Sequence, residues 1–263
     1  MKSPSVWPRA PVLLACLTLL AQCAGRSFGG AEHLAHGRFE DVRIYRPPTN
    51  AQRLALLLSG DGGWSSTLGA LATRLATTTG TLVAGVDTRA LLASLSRDPA
   101  SCVSPGADLA GLAAFLRERY RLADAAPVLI GHSAGASFAF VALGQAPAGT
   151  FAGALTLSFC ADVDLVKPLC RTPAMQYRAR PGGVRLKPAG ELPAPWIALH
   201  ALDDTECPAA QARSFAAATR GASFVALPQV THSYHHTNRW WAQFETAYRQ
   251  LAALPAVSAP GTP

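Results

Sequence analysis

Pro127-Val128-Leu129-Ile130-Gly131-His132-Ser133-Ala134-Gly135 is the stretch on which the reading of the chain turns. A short apolar run enters a G-x-S-x-G turn, and a helix-like segment from Ala134 to Gly144 leaves it. Strand, sharp turn and helix in that order hold a serine hydroxyl at the edge of a parallel sheet. Small residues are required on both sides, because the backbone at the serine is strained and side chains at the glycine positions would strike the neighbouring strand and helix. In a chain with 22 glycines the motif can arise by chance. Its weight therefore comes from its flanks and from the residues downstream.

An acid and a histidine come later in the chain, in the order such a nucleophile needs. The strand-like run Trp196 to His200 leads into Asp203-Asp204-Thr205-Glu206-Cys207-Pro208, where Asp204 fits a D-x-x-[apolar]-P pattern and Asp203 is the alternative. A second run, Ser223 to Leu227, leads into a loop carrying His232, and then into a helical segment from about Asn238 to Leu251. The expected division of labour is Ser133 as nucleophile, His232 as the base that takes its proton, and Asp204 as the group orienting the imidazole.

The oxyanion of an acyl-transfer intermediate requires backbone donors, and losing one typically costs about 3 to 4 kcal/mol. Ala134, directly after the nucleophile, is the first expected donor. Asp61 or Gly62 is the second, since the buried-strand run Leu54 to Leu58 breaks into Ser59-Gly60-Asp61-Gly62-Gly63-Trp64 before a helix from about Ser66. A phosphate-cradling loop is excluded, because G-x-x-x-x-G-K-[ST] is absent and Asp61 would repel an anion.

Alternating strand and helix patterns over 263 residues, 49% of them hydrophobic, place the chain in the α/β class, with a mostly parallel sheet and helices on both faces. Strands are expected near 41–45, 54–58, 81–86, 128–130, 153–159, 196–200 and 223–227. Helices are expected near 66–79, 107–121, 134–144, 209–220 and 238–251.

The loop Ser59 to Trp64, the serine turn, the stretch Asp203 to Pro208 and the histidine loop with Arg239-Trp240 downstream together resemble the AcvB/VirJ family of bacterial virulence proteins. The likeness runs from about Val42 to Leu254. It implies the α/β-hydrolase fold, a periplasmic location and hydrolysis of lysyl-phosphatidylglycerol, an aminoacylated membrane lipid. An aminoacyl ester carries an ammonium group beside its carbonyl, so a carboxylate should lie within reach. Asp61, Asp162 and Asp164 are the candidates. A broad-specificity periplasmic carboxylesterase and a non-catalytic, secretion-associated binding protein remain as alternatives.

Residues 1–25 read as an export signal, with Lys2 and Arg9 before an apolar stretch too short to span a membrane and small residues around Cys23. A lipoprotein at Cys23 is the alternative, disfavoured by the bulky Gln22. Residues 26–263 then form one domain. Export leaves Cys102, Cys160, Cys170 and Cys207 in an oxidising compartment. We expect Cys160 to pair with Cys170 across a short loop and Cys102 with Cys207, although four cysteines allow three connectivities and sequence does not choose. Metal binding by these cysteines is disfavoured, since no C-x-x-C or H-x-x-x-H spacing joins them, and no cofactor is expected.

The formal charge of +7 suits contact with anionic headgroups at a membrane surface, and equally a solubilising surface. Arg171, Arg178, Arg180, Arg185 and Lys187 cluster in a Pro- and Gly-rich stretch that suits either a lid insertion or a solvated loop. Tyr177 is the one aromatic among them, which argues against nucleic acid. His235 and His236 read as surface residues, Trp240 and Trp241 as packing for the last helix, His200 as a core histidine and Asp87 as a cap.

Overall fold

A strand that is apolar at every position has two faces to bury, and Leu54-Ala55-Leu56-Leu57-Leu58 is such a strand. In the computed structural model, which describes residues 31–253, it lies at the centre of an 8-stranded sheet. The chain runs β1 (Glu32–His36), β2 (Phe39–Tyr45), β3 (Arg53–Leu58), α1 (Ser66–Thr79), β4 (Thr81–Val86), α2 (Thr88–Ser96), α3 (Pro105–Tyr120) and β5 (Val128–His132). It continues with α4 (Ala134–Gln145), β6 (Gly153–Leu157), β7 (Asp162–Asp164), β8 (Tyr177–Arg180), β9 (Gly183–Leu186), β10 (Trp196–Ala201), α5 (Ala209–Ala217), β11 (Ala222–Leu227) and α6 (Trp241–Ala252). The sheet order is β1-β2-β4-β3-β5-β6-β10-β11. β1 and β2 pair antiparallel and β2 meets β4 antiparallel, while every pairing from β4 to β11 is parallel.

Alternation along the strands sorts the core into two layers. Leu54, Leu56 and Leu58 join one, with α2, α3, α4 and α5; Ala55 and Leu57 join the other, with α1 and α6. The first layer centres on Trp196, whose ring lies 4.8 Å from Phe140, 4.9 Å from Phe159 and 5.9 Å from Phe215 in edge-on packing. Its buried indole N–H donates to Thr156 Oγ1 at 2.9 Å, which removes the penalty of enclosing a polar atom among aromatics. Trp240 and Trp241 pack in the second layer, at the start of α6.

The expected strands and helices are present, with differences: β1 stands outside the expected strands, and α5 and α6 cover Ala209–Ala217 and Trp241–Ala252. The strand from Gly153 stops at Leu157 rather than at Phe159, because Ser158 turns to φ 54°. Helix α2 stands where the sequence pattern suggests only a turn; Asp87 caps it by accepting from Ala90 N at 3.1 Å. The basic stretch is not a loose loop, since β7, β9 and β8 form a 3-stranded antiparallel sheet. Val163, Tyr177, Val184 and Leu186 of that sheet are buried against the first core layer.

The disulfide pairing also differs from the expectation. Cys102 bonds to Cys170, and Cys160 to Cys207. Sheet order dictates the second: β6 and β10 are neighbours, so the segments leaving their carboxyl ends, with Cys160 and Cys207, emerge side by side. The first arises from a backbone bridge in which Val103 N donates to Pro168 O at 2.9 Å and Cys170 N to Val103 O at 2.9 Å. The loops closed are 68 and 47 residues long. Chain-entropy arguments give each crosslink about 4 kcal/mol. Among the described residues no helix is long and apolar enough to cross a membrane. The expected export signal over residues 1–25 lies outside the described residues.

The glycines flanking Ser133 sit where the packing is tightest. A Cβ on Gly131 would lie 2.1 Å from Gly135 O, and one on Gly135 would lie 2.2 Å from Ser59 O. Both obstacles are backbone and cannot swing aside. Gly111, inside α3, would meet nothing within 4 Å. Gly135→Ala is therefore expected to abolish soluble folded protein, whereas Gly111→Ala should raise stability by up to about 1 kcal/mol. Circular dichroism and urea titration of the two variants check the pair.

Candidate active site

The polypeptide leaves β5 at His132 and must enter α4 at Ala134 within one residue. Ser133 takes up the change of direction at φ 55° and ψ −124°, a conformation disfavoured for a residue with a Cβ. Its N–H donates to Leu157 O of β6 at 3.0 Å, and its carbonyl accepts from Ala136 N at 2.8 Å, the first bonds of α4. The strain is thus held from both sides, and Oγ is left facing the loops at the carboxyl edge of the sheet.

Two of those loops bring the other expected residues to it. His232 Nε2 lies 2.9 Å from Ser133 Oγ. On the far side of the ring, Nδ1 lies 3.0 Å from Asp204 Oδ1 and 2.9 Å from Oδ2. Asp204 is buried, while Asp203 is exposed and its N–H is bonded to Val230 O at 3.0 Å. Of the two adjacent acids, Asp204 is the one that meets the imidazole.

The acid loop is fixed at several points. Asp204 Oδ1 also accepts from Glu206 N at 2.9 Å and from Cys207 N at 2.8 Å. Cys207 is covalently tied to Cys160, and its carbonyl accepts from His200 Nε2 at 2.7 Å. Asp204, Cys207 and His232 bring metal-ligating atoms within 4.8 Å of one another. The donor set does not suit an ion: the sulfur is spent in a disulfide and the other two are bonded to each other.

The histidine loop is fixed by two residues to which the sequence motifs give no role. His132, the variable residue of the G-x-S-x-G turn, donates from Nε2 to the carbonyl of His232 at 2.7 Å. The buried Tyr234 hydroxyl accepts from Ala201 N at 3.1 Å and donates to Leu199 O at 3.0 Å, stapling the loop to β10. The faintest of signals was available for each: a ring-bearing residue inside the turn, and an aromatic two places after the histidine.

Burial and charge separate the three histidines. Burial pushes the pKa of His132 down, only partly opposed by its bond to the His232 carbonyl. Burial likewise lowers His200, against its bond to the Cys207 carbonyl. At His232 burial also disfavours the cation, but the bond to Asp204 and the charges of Asp204, Glu206 and Asp61 outweigh it, and the pKa is raised. Asp204 is held well below the usual carboxylate range: burial opposes this, and the bonds from His232, the Ser158 hydroxyl and Cys207 N–H prevail.

The glycine-rich loop after β3 lies against the nucleophile. A Cβ on Gly60 would sit 3.4 Å from Ser133 Cβ and 3.8 Å from Oγ, so glycine is what permits the approach. Gly62 N–H donates to Asp61 Oδ1 at 3.1 Å and is already engaged. Ala134 N and Asp61 N are the remaining expected donors. The loop is anchored by Trp64 N donating to Asp87 Oδ2 at 3.1 Å and by Thr88 N donating to Ser59 Oγ at 2.9 Å.

Asp162 and Asp164 are not brought to this cluster as free carboxylates. Both lie on β7, where Asp162 is paired across the register with Arg185 at 2.9 Å and Asp164 bonds to Arg180. Asp61 is exposed and its charge is felt at His232. One acid that no motif singles out joins it: Glu206 Oε2 lies 3.4 Å from His232 Nε2.

A family model described as bacterial virulence protein (VirJ) matches residues 52–154, a span that holds the Ser59–Trp64 loop and the serine turn. No curated protein matches the chain in sequence. Among solved structures, Est1E from Butyrivibrio proteoclasticus is 13% identical and aligns with a TM-score of 0.57 over 85% of this chain and 99% of its own. The esterase Est2 from Thermogutta terrifontis is 17% identical, with a TM-score of 0.57 over 89% and 96%. The esterase domain of a Rhodothermus marinus protein is 19% identical, with a TM-score of 0.54 over 84% and 97%. The fold is that of the α/β-hydrolases, as the motifs implied.

The opposed shifts of the histidines can be read directly. In a ring-carbon or ring-nitrogen NMR titration His232 should protonate above its ordinary value of 6.5 and His132 below it. Asp204→Asn should lower the pKa of His232, because the largest opposition to burial is lost and only the charges of Glu206 and Asp61 remain.

Proposed function

We propose that the protein is a serine ester hydrolase in which Ser133 is the nucleophile, His232 the general base and Asp204 its orienting partner. The observation that carries this reading is the unbroken chain from Ser133 Oγ to His232 Nε2 at 2.9 Å and from His232 Nδ1 to Asp204 Oδ2 at 2.9 Å. A serine hydroxyl is a weak nucleophile until a base accepts its proton during attack. With Nδ1–H committed to Asp204, Nε2 presents a lone pair to the hydroxyl.

Attack of Oγ on an ester carbonyl breaks the carbonyl π bond and moves the proton to Nε2. The oxyanion is received by Ala134 N–H and Asp61 N–H, and Asp204 stabilises the imidazolium without taking its proton. Collapse expels the alcohol, which leaves with the proton from Nε2. Water then repeats the sequence on the acyl-enzyme, releasing the acid and restoring Ser133.

The substrate we assign is the aminoacyl ester of lysyl-phosphatidylglycerol. Support comes from the match to the VirJ family model and from the exposed Asp61 carboxylate beside the expected oxyanion loop, a partner for the ammonium group next to the scissile carbonyl. The two disulfides fit a protein exported to an oxidising compartment such as the periplasm. The net positive charge favours contact with an anionic membrane surface. We assign residues 26–263 to one catalytic domain.

A fluorophosphonate probe should label the protein, and Ser133→Ala should abolish labelling while lowering turnover by roughly 10⁴ to 10⁶. Incubation with lysyl-phosphatidylglycerol vesicles should release free lysine and leave phosphatidylglycerol on thin-layer analysis. Turnover of simple esters without lysine release would mark a broad carboxylesterase, and a folded protein that is never labelled would mark a binding protein.

The raised pKa of His232 sets the sign of the pH dependence. The base must be neutral, so kcat/KM should climb with pH through a value above 6.5 rather than below it. Initial rates on a neutral ester across the weakly acidic to weakly alkaline range check this.

A further inference from the structure

One carboxylate at the site is not itself a link of the Ser133–His232–Asp204 chain. Glu206 is exposed to 70%, yet its Oε2 lies 3.4 Å from His232 Nε2, the nitrogen whose other neighbour is Ser133 Oγ at 2.9 Å. We infer that Glu206 reads the departing alcohol of the ester, accepting a hydrogen bond from a hydroxyl vicinal to the carbon that bears the ester oxygen, as in a glyceryl ester. This rests on the ester-hydrolase reading and names the residue that would recognise the alcohol side of its substrate.

The backbone holds Glu206 where it is. Its N–H donates to Asp204 Oδ1 at 2.9 Å, and the next residue bonds to the same oxygen at 2.8 Å while joined to Cys160 by a disulfide. His200 grips the carbonyl of that next residue at 2.7 Å. A segment so held fixes the root of the Glu206 side chain relative to His232.

Its charge is also left open. Asp162 and Asp164 on the adjoining edge are each paired with arginine, whereas among the described residues the ion-pair partner of Glu206 is His232 alone. An ionised carboxylate only accepts hydrogen bonds, so its complement in a substrate is a donor.

The position identifies which part of the substrate that is. Nε2 takes the proton from Ser133 and hands it to the leaving oxygen, so the leaving oxygen must pass within hydrogen-bond reach of this atom. A group 3.4 Å from Nε2 is within reach of the carbon chain behind that oxygen. A vicinal hydroxyl there would satisfy Glu206. An unsubstituted alkyl chain would offer the carboxylate no donor.

The test compares 1-monobutyrin with propyl butyrate, measured on the full chain at a weakly alkaline pH so that His232 is neutral. Both esters give the same butyryl-enzyme, so any difference between them belongs to acylation. The wild type should favour monobutyrin in kcat/KM by about tenfold or more, and Glu206→Ala should collapse that ratio towards one. Glu206→Gln, which keeps an acceptor without the charge, should retain part of it. A merely structural role would lower both esters together and leave the ratio unchanged. A wild type without preference, or a Glu206→Ala protein that keeps the full ratio, overturns the assignment even if fluorophosphonate labelling is intact. A wild type that neither hydrolyses the esters nor is labelled overturns the hydrolase reading instead.

Discussion

The constraint on which this site depends is the backbone of Ser133. A φ of 55° places the hydroxyl above the sheet edge, and nothing intrinsic to serine favours it. It is kept there because β5 and α4 leave room for a single linking residue, and because Gly131 and Gly135 let helix and strand close to distances that exclude any side chain. Burial of the two core layers supplies the stability that sustains the strain. The chemistry of one hydroxyl is thus a consequence of packing across the whole sheet.

Three imidazoles gather around that hydroxyl and its acid loop, and only one is in a position to carry charge. His132 and His200 are desolvated and bonded to carbonyls, so each acts as a neutral donor that holds a loop. His232 is also deprived of water on one side, but it meets the carboxylate of Asp204. The neutral pair fixes the backbones of the histidine and acid loops, and the third ring lies between Ser133 Oγ and the Asp204 carboxylate. Geometry and protonation are therefore assigned to different residues of the same type.

Much of this was legible in the sequence because it is local. A strand, a tight turn with two glycines and a helix are consecutive in the chain, and the acid and histidine come after strands whose apolar runs are plain. What the sequence hid depends on which strands become neighbours. The pairing of Cys160 with Cys207 requires β6 to lie beside β10, and loop length alone favoured Cys170. Asp162 and Asp164 look available in the sequence, but β9 sets Arg185 opposite the first and Arg180 reaches the second. Gly62 looks a free donor, yet its N–H is bonded to the preceding side chain. His132 fills a position the motif leaves open, and its bond to the His232 carbonyl spans 100 residues.

The acid loop shows why such non-local ties gather here. Thr205 and Glu206 are exposed, and a loop that reaches into solvent at the edge of a sheet would ordinarily be among the most mobile parts of a domain. Its carboxylate must nonetheless stay within 3.0 Å of a ring on a different loop. Two N–H groups from the loop itself, a disulfide to the neighbouring strand end and a histidine bonded to its carbonyl from the strand beneath remove that freedom without burying the surface. Rigidity is obtained through the backbone, so the side chains above it remain free for the substrate. That is the condition under which an exposed residue such as Glu206 can have a fixed backbone and a side chain still open to solvent.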